Sequence, residues 1–213
     1  MKALDLFCGA GGASMGLRMA GFEVVGVDIN PQPNYQFTFH QADATTFPLD
    51  GFDFIWASPP CQAHTTLRAR HQDRDYPCFI AITRERLKSS GVPYCIENVV
   101  GAPLITPFML CGSSFRLQVR RHRLFEASFP VLVPLCDHAA QGRPIDVSGT
   151  GSRRVNPRTD GKGGNPNKPR NLAEAREAMS IGWMSRKELS QAIPPAYSLH
   201  IAMAALKYMR KSA

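Results

Sequence analysis

Lys2-Ala3-Leu4-Asp5-Leu6-Phe7-Cys8-Gly9-Ala10-Gly11-Gly12 sets the architecture of the chain. A short apolar run is closed by a glycine-rich turn, and residues 13–20 then read as a helix that Gly21 stops. Phe22-Glu23-Val24-Val25-Gly26-Val27 resumes as a second strand. Strand, glycine turn, helix and strand make a βαβ unit, which implies parallel strands joined by a right-handed crossover. The expected class is α/β, a predominantly parallel Rossmann-like sheet with helices on both faces.

The same stretch is a candidate ligand site. Phe7, Gly9, Ala10 and Gly12 lie between strand and helix, where a doubly wound fold brings backbone close to a ligand. Asp28, followed by Ile29, ends the second strand, where a carboxylate can accept both hydroxyls of a ribose. Asp43, followed by Ala44, sits where a third strand should end. Glycines also simply permit tight turns, and acids at strand ends are often just solvated. The spacing is not the G-x-G-x-x-G that seats a pyrophosphate, so a nucleoside without phosphates fits better than a nicotinamide cofactor.

Further along, residues 52–57 and 94–99 repeat the buried-strand pattern, and Phe79, Ile82, Arg86 and Leu87 suit a helix laid over the sheet. From about residue 128 to 169 periodicity is replaced by Gly, Pro, Asn, Ser and Arg, as in a loop or small irregular lobe. Helical composition returns from Leu172, and a final helix is expected over residues 196–208. The expected organisation is one α/β domain, residues 1–127 and 171–213, interrupted by a small basic region at 128–170.

The chain of 213 residues is long enough for one well-buried domain plus an appendage. No apolar run is long enough to span a bilayer, and Met1-Lys2 leads directly into the first strand without a signal-peptide core. A cytoplasmic location is expected. Six cysteines without a CxxC pair read as reduced thiols. The net charge of +8 favours a polyanionic partner, although many proteins with such a balance bind nothing acidic.

Ser58-Pro59-Pro60-Cys61-Gln62 follows a strand and so occupies the carboxyl edge of the sheet, where open α/β folds bind ligands. Two prolines stiffen the approach to the thiol. Cys8, Cys78, Cys95 and Cys111 read as buried structural cysteines, the commoner use of the residue. Glu97, in Tyr94-Cys95-Ile96-Glu97-Asn98-Val99, is a carboxylate after three apolar positions, costly to bury unless a partner meets it.

Asp5-Leu6-Phe7-Cys8-Gly9-Ala10-Gly11-Gly12, Pro59-Pro60-Cys61-Gln62, Glu97-Asn98-Val99 and Arg121-His122-Arg123 together resemble, in order and spacing, the motifs of the DNA (cytosine-5)-methyltransferases. The likeness covers residues 1 to about 126 and resumes near 171. It implies S-adenosyl-L-methionine as cofactor, double-stranded DNA as partner and a monomeric enzyme that methylates carbon 5 of a flipped cytosine. Cys61 would be the covalent nucleophile and Glu97 the proton partner of the ring. Arg123 would hold oxygen 2 of the base and Arg121 would support the site. Pro60, Gln191 and Ala192 join the candidate cofactor contacts by the same resemblance.

Gln62, Arg68 and Arg70, in the polar stretch after Cys61, match a loop that closes over the base in relatives. Arg153, Arg154 and Arg158 belong to the small basic region, which resembles a target recognition domain by position. Its size implies a recognition site of about two to four base pairs. Cys136-Asp137-His138 offers two possible metal ligands but no second pair in the sequence, so no metal is expected.

Three features depart from the family. Ser190-Gln191 stands where relatives carry Gly-Asn, Asp28 where they more often carry Glu, and Val119 where many have Gln. A cytosine-5 methyltransferase acting on transfer RNA and a catalytically silent DNA-binding homologue are the alternatives. A Rossmann oxidoreductase leaves the Pro-Pro-Cys-Gln and Glu-Asn-Val runs without a purpose.

Overall fold

The computed structural model describes residues 1–60, 79–149 and 165–212. Cys61, Gln62, Arg68, Arg70, Arg153, Arg154 and Arg158 lie outside the described residues.

β1 (Lys2–Leu6), β2 (Glu23–Asp28), β3 (Thr38–Gln41), β4 (Phe54–Ala57), β5 (Tyr94–Asn98), β6 (Phe108–Leu110) and β7 (Arg123–Ala127) form one seven-stranded sheet in the order β3-β2-β1-β4-β5-β7-β6. β1 pairs in parallel with β2 and with β4, so the chain winds outward in both directions from the first strand. The gap between the carboxyl ends of β1 and β4 is therefore the switch point at which such sheets bind ligands. β7 runs antiparallel to both β5 and β6. The expected Rossmann-like α/β class is the one observed.

Both faces of the sheet are covered, which is why the central strands read as continuous apolar runs. Ala3, Val24, Phe54, Trp56 and Cys95 point to one face, where they meet Ala13 and Leu17 of α1 (Gly12–Met19) and Ile201 and Ala205 of α6 (Pro195–Ser212). Leu4, Leu6, Val25, Ile55, Ala57 and Ile96 point to the other, against Leu87 of α2 (Ile80–Ser90). Residues two apart share a face, as the pleat requires. α1 and α6 touch closely because Gly16 has no side chain: a Cβ there would lie 2.2 Å from the Pro195 carbonyl oxygen.

The α2 face differs from the expected one. Ile80, Thr83, Arg84 and Leu87 are buried, whereas Ile82 is 51% exposed and Phe79 only precedes the helix. Arg86 sits on the flank and donates to the carbonyls of Ala44 and Phe47. The spacing misled because the buried stripe contains a charge. Arg84 is neutralised by Glu126 of β7 through two hydrogen bonds of 2.8 Å, and it also donates to the Pro103 carbonyl. Glu126 in turn accepts from the Ile105 amide.

α3 (His138–Gln141) interrupts the irregular region, and α4 (Leu172–Met179) and α5 (Arg186–Gln191) precede α6. α4 is capped by the Asn171 side chain, and α5 begins with a capping box between Ser185 and Glu188. Within the region expected as a loop or small irregular lobe, Phe129, Ile145 and Val147 are buried in the same core as α1 and α6. Asp146 and Asn167 are joined by a backbone hydrogen bond of 2.7 Å, and Lys168 pairs with Asp146 at 2.9 Å. The two flanks of the region are thus tied to each other and to the sheet.

Candidate active site

The turn after β1 is built on unusual backbone. Phe7, Gly9 and Gly11 all have positive φ, at 60°, 49° and 83°. Glycine takes such angles readily, and Phe7 is held between Leu6, the last paired residue of β1, and Cys8, whose amide donates to the Val27 carbonyl at 3.0 Å. The Gly9 amide donates to Asp28 Oδ2 at 3.1 Å, which locks the turn to the end of β2. Asp28 Oδ1 accepts from the Asn30 amide at 2.9 Å. The Asn30 side-chain amide also reaches Oδ1, at 3.5 Å, so Oδ2 is the oxygen with a lone pair left for a ligand hydroxyl.

A Cβ on Gly9 would meet nothing within 4 Å, so the turn faces open space. Gly12 is the opposite case, since a Cβ there would fall 2.4 Å from the Ile193 carbonyl oxygen and 3.3 Å from the Ala192 side chain. The candidate contact Ala192 is thereby brought against the glycine turn from the far end of the chain. Trp183 closes the arrangement by donating its indole N–H to the Ala10 carbonyl at 2.9 Å.

Ile29 is exposed at the end of β2, beside Asp28. Asp43 is exposed beyond β3, and Thr45 hydrogen bonds hold its carboxyl below the usual range. Ala44 turns its side chain into the core under α2. Gln191 is exposed at the end of α5. A nucleoside with vicinal hydroxyls and no phosphate fits this donor set: a free turn at Gly9, a carboxylate at Asp28 and an apolar side chain at Ile29.

Behind the turn lies a buried polar chain that no local motif announces. Ser14 Oγ donates to Asp5 Oδ2 at 2.5 Å and is 2.8 Å from the Tyr35 hydroxyl. Tyr35 covers Gly26, whose missing side chain leaves room for the ring. Asp5 is fully buried and its other oxygen has no hydrogen-bond partner. Burial pushes its carboxyl up to about 7 against the opposing Ser14 hydrogen bond.

The second half of the site lies at the ends of β4, β5 and β7. Because β7 is antiparallel, its first residue arrives beside the last residues of β5, with Asn98 opposite Leu124 and Glu97 opposite Phe125. Arg123 is then the diagonal same-face neighbour of Glu97, and its Nε is 3.2 Å from Glu97 Oε1. Glu97 is 6% exposed. Burial raises its pKa, opposed by Arg123, by a Ser58 hydrogen bond and by Arg121, so the carboxyl keeps its proton to higher pH than an ordinary glutamate.

Asn98, 1% exposed, donates to the Pro59 carbonyl at 3.0 Å and so ties β5 to the segment that carries Pro60. Ser58 is fixed by its amide to Leu6 and accepts from the Trp56 indole. Arg121 adopts a positive φ of 37° and donates to the Ser190 carbonyl at 2.8 Å. Tyr197 of α6 donates its hydroxyl toward the carbonyls of Arg120 and Arg121. The strand-to-arginine segment is thus braced by the C-terminal helices, through backbone carbonyls that no motif could reveal.

A cleft of about 410 Å³ opens beside this corner, lined by Arg120, Arg121 and Arg123 together with Asn165 and Asn167. Ser190 also reaches it. Glu97, Arg121 and Arg123 are therefore gathered at one end of the sheet, with the glycine turn and Asp28 at the neighbouring strand ends. Cys8, Cys95 and Cys111 are buried free thiols.

Residues 1–77 match the family model described as C-5 cytosine-specific DNA methylase. The Type II methyltransferase M.AgeI of Thalassovita gelatinovora is 30% identical over 125 residues, which is 47% of this chain and 28% of that protein. The chain thus spans little more than a quarter of that relative's length.

Among solved structures, a putative DNA modification methyltransferase encoded within an Escherichia coli prophage superposes with a TM-score of 0.64 at 14% identity, over 99% of both chains. The Schizosaccharomyces pombe Dnmt2 methyltransferase superposes with a TM-score of 0.59 at 13% identity, over 98% of this chain and 99% of that one. At such identities the superpositions speak for the fold.

Proposed function

We infer that this chain, a compact relative of the C-5 cytosine-specific DNA methylases through its first 77 residues, methylates carbon 5 of cytosine in double-stranded DNA. The observation that carries the reading is the corner where buried Glu97, at 3.2 Å from Arg123, adjoins the Asn98–Pro59 tie two residues before Cys61. Carbon 5 of cytosine is a poor nucleophile, so a thiolate must first add to carbon 6 and make the ring enamine-like. Cys61 is the group for that step.

As charge moves toward ring nitrogen 3, Glu97 supplies or shares a proton there, which its raised pKa favours. Arg123, beside Glu97, would bind oxygen 2. Arg121, bonded to the Ser190 carbonyl, holds the corner to α5. S-adenosyl-L-methionine, when bound, supplies an electrophilic methyl group. Phe7, Gly9, Ala10, Gly12, Asp28, Ile29 and Ala192 would hold it, Asp28 accepting from the ribose and Ile29 lying against the adenine. Asp43, Ala44, Pro60 and Gln191 are proposed as outer contacts. Loss of the carbon 5 proton and elimination of Cys61 complete the cycle.

The target carbon is shielded within a stacked duplex, so the base must be flipped out. The arginine-lined cleft between the sheet edge and residues 144–148 supports entry of the nucleic acid there. Arg153, Arg154 and Arg158 are proposed to contact DNA from the basic region, and Gln62, Arg68 and Arg70 from the segment after Cys61.

The test is a covalent trap. Duplex DNA containing 5-fluorocytosine, mixed with the protein and S-adenosyl-L-methionine, should give an adduct stable in denaturant, and Cys61→Ser should give none. Equal adduct from Cys61→Ser would refute the nucleophile. Methyl transfer to structured RNA but not to duplex DNA would refute the substrate.

A further inference from the structure

We propose that Cys111, His122, Cys136 and His138 form a structural zinc site that clamps the β6–β7 edge of the sheet to the segment leading into α3. The four residues come from three places in the chain. Cys111 follows β6, His122 immediately precedes β7, and Cys136 and His138 flank the N-cap of α3. One ligand atom from each lies within 4.8 Å of all the others.

Cys111 Sγ is 3.2 Å from His138 Nε2, and Cys136 Sγ is 3.7 Å from His122 Nε2. The two imidazole rings have centroids 5.2 Å apart. Zinc bonds of about 2.3 Å to sulfur and about 2.0–2.1 Å to nitrogen imply ligand–ligand edges of about 3.3–3.8 Å in a tetrahedron. These two pairs already lie near those edges, and the others, none longer than 4.8 Å, would have to close by about 1.5 Å at most.

The donor set selects the metal. Two thiolates and two neutral imidazoles offset the charge of a divalent ion and suit tetrahedral zinc over the oxygen-seeking magnesium or calcium. Four protein ligands leave no open position, so the site is structural. Outer contacts are also present. Ser113 Oγ lies 3.1 Å from Cys111 Sγ and accepts from the Asp137 amide at 3.0 Å, joining the β6 exit to the Cys136-Asp137-His138 run. Asp137 caps α3 by accepting from the Ala140 amide, which fixes the helix start that presents His138.

Spacing hid the site. Cys136 and His138 have no matching pair nearby in sequence, and the absence of a second pair was the reason to expect no metal. The pairing of β6 with β7 supplies it in space, bringing Cys111 beside His122 with Leu110 opposite Arg123. Because His122 stands between Arg121 and Arg123, a metal here would set the position of both arginines.

The full-length chain, made without a histidine tag in zinc-supplemented cells and purified under reduction, should contain one zinc per chain by elemental analysis. Cobalt substitution should give the intense visible bands of a tetrahedral ion and a near-ultraviolet charge-transfer band of strength appropriate to two thiolates. Cys136→Ser and His138→Gln should each weaken metal binding at least tenfold, with His40→Gln, remote from the cluster, binding like the parent chain. Chelation should lower the melting temperature by several degrees, and zinc should restore it.

Absence of bound zinc after reconstitution would overturn the proposal. So would a weak octahedral cobalt spectrum, unaltered binding by both variants, or a Cys111–Cys136 disulfide that persists under reduction. If the variants do not fold, the cobalt spectrum of the unaltered chain decides.

Discussion

Asp5 shows how one buried acid can couple stability to pH. Its folded pKa of about 7 exceeds the ordinary 3.8, with burial as the leading cause. The folded state therefore holds a proton that the unfolded state has released, and stability falls as pH rises from about 4 to about 7, then levels. The shift corresponds to a loss on the order of 4 kcal/mol. Asp5→Asn keeps an acceptor for Ser14 but cannot ionise. Urea unfolding from acid to mildly alkaline pH should show the variant gaining on the parent chain by that order, and a constant difference would refute the assignment. At the same scale, Glu97 and Cys61 were legible as motif residues, whereas Ser14 and Tyr35 were not. Their roles come from the contact between Tyr35 and Gly26, which local spacing does not encode.

The α1–α6 contact is a close approach of two helices, and Gly16 makes it possible. A Cβ at Gly16 would lie 2.1 Å from Ser198 Oγ, 2.2 Å from the Pro195 carbonyl oxygen and 2.6 Å from the Leu199 nitrogen. The serine hydroxyl could turn away, but the backbone atoms cannot. Gly16→Ala would gain about 1 kcal/mol in helix propensity and lose about 1–3 kcal/mol or more to overpacking. The net effect should be destabilising, read as a lower urea midpoint at unchanged slope. Gly182→Ala, where nothing lies within 4 Å, should be tolerated. β1, β2, β4 and β5 were readable because burial on both faces leaves strands dominated by apolar residues, with at most one or two polar positions near an end or opposite a partner. β7 was not, because Arg123 and Glu126 interrupt its pattern and find their partners, Glu97 and Arg84, on other elements.

At the scale of the whole molecule, the net charge of +8 and the arginine-lined cleft point the same way. Counterion release should make duplex DNA affinity fall by about tenfold or more between about 50 and 200 mM salt. Arg120→Ala should lower the log–log salt slope by about one unit, as expected for a single lost phosphate contact. Fluorescence anisotropy across a salt series would measure both, and an unchanged slope would remove Arg120 from the interface. The irregular region is coupled to the sheet through Ile145 and Val147 in the core and through the Gln141 side chain, which donates to the carbonyls of Leu117 and Val119.

The α/β class, the glycine turn and the acids at the strand ends are all written in local sequence, since they depend on periodicity and on residue types at fixed offsets. Cys61 and Glu97 stood out by their settings at strand ends, and the motif resemblance joined Arg121 and Arg123 to them. Which face of α2 is buried, how Arg121 is braced by Ser190 and Tyr197, and the meeting of Cys111 and His122 with Cys136 and His138 emerge only from the folded chain. Those outcomes depend on partners tens of residues apart, brought together by an antiparallel strand that buried charges had concealed.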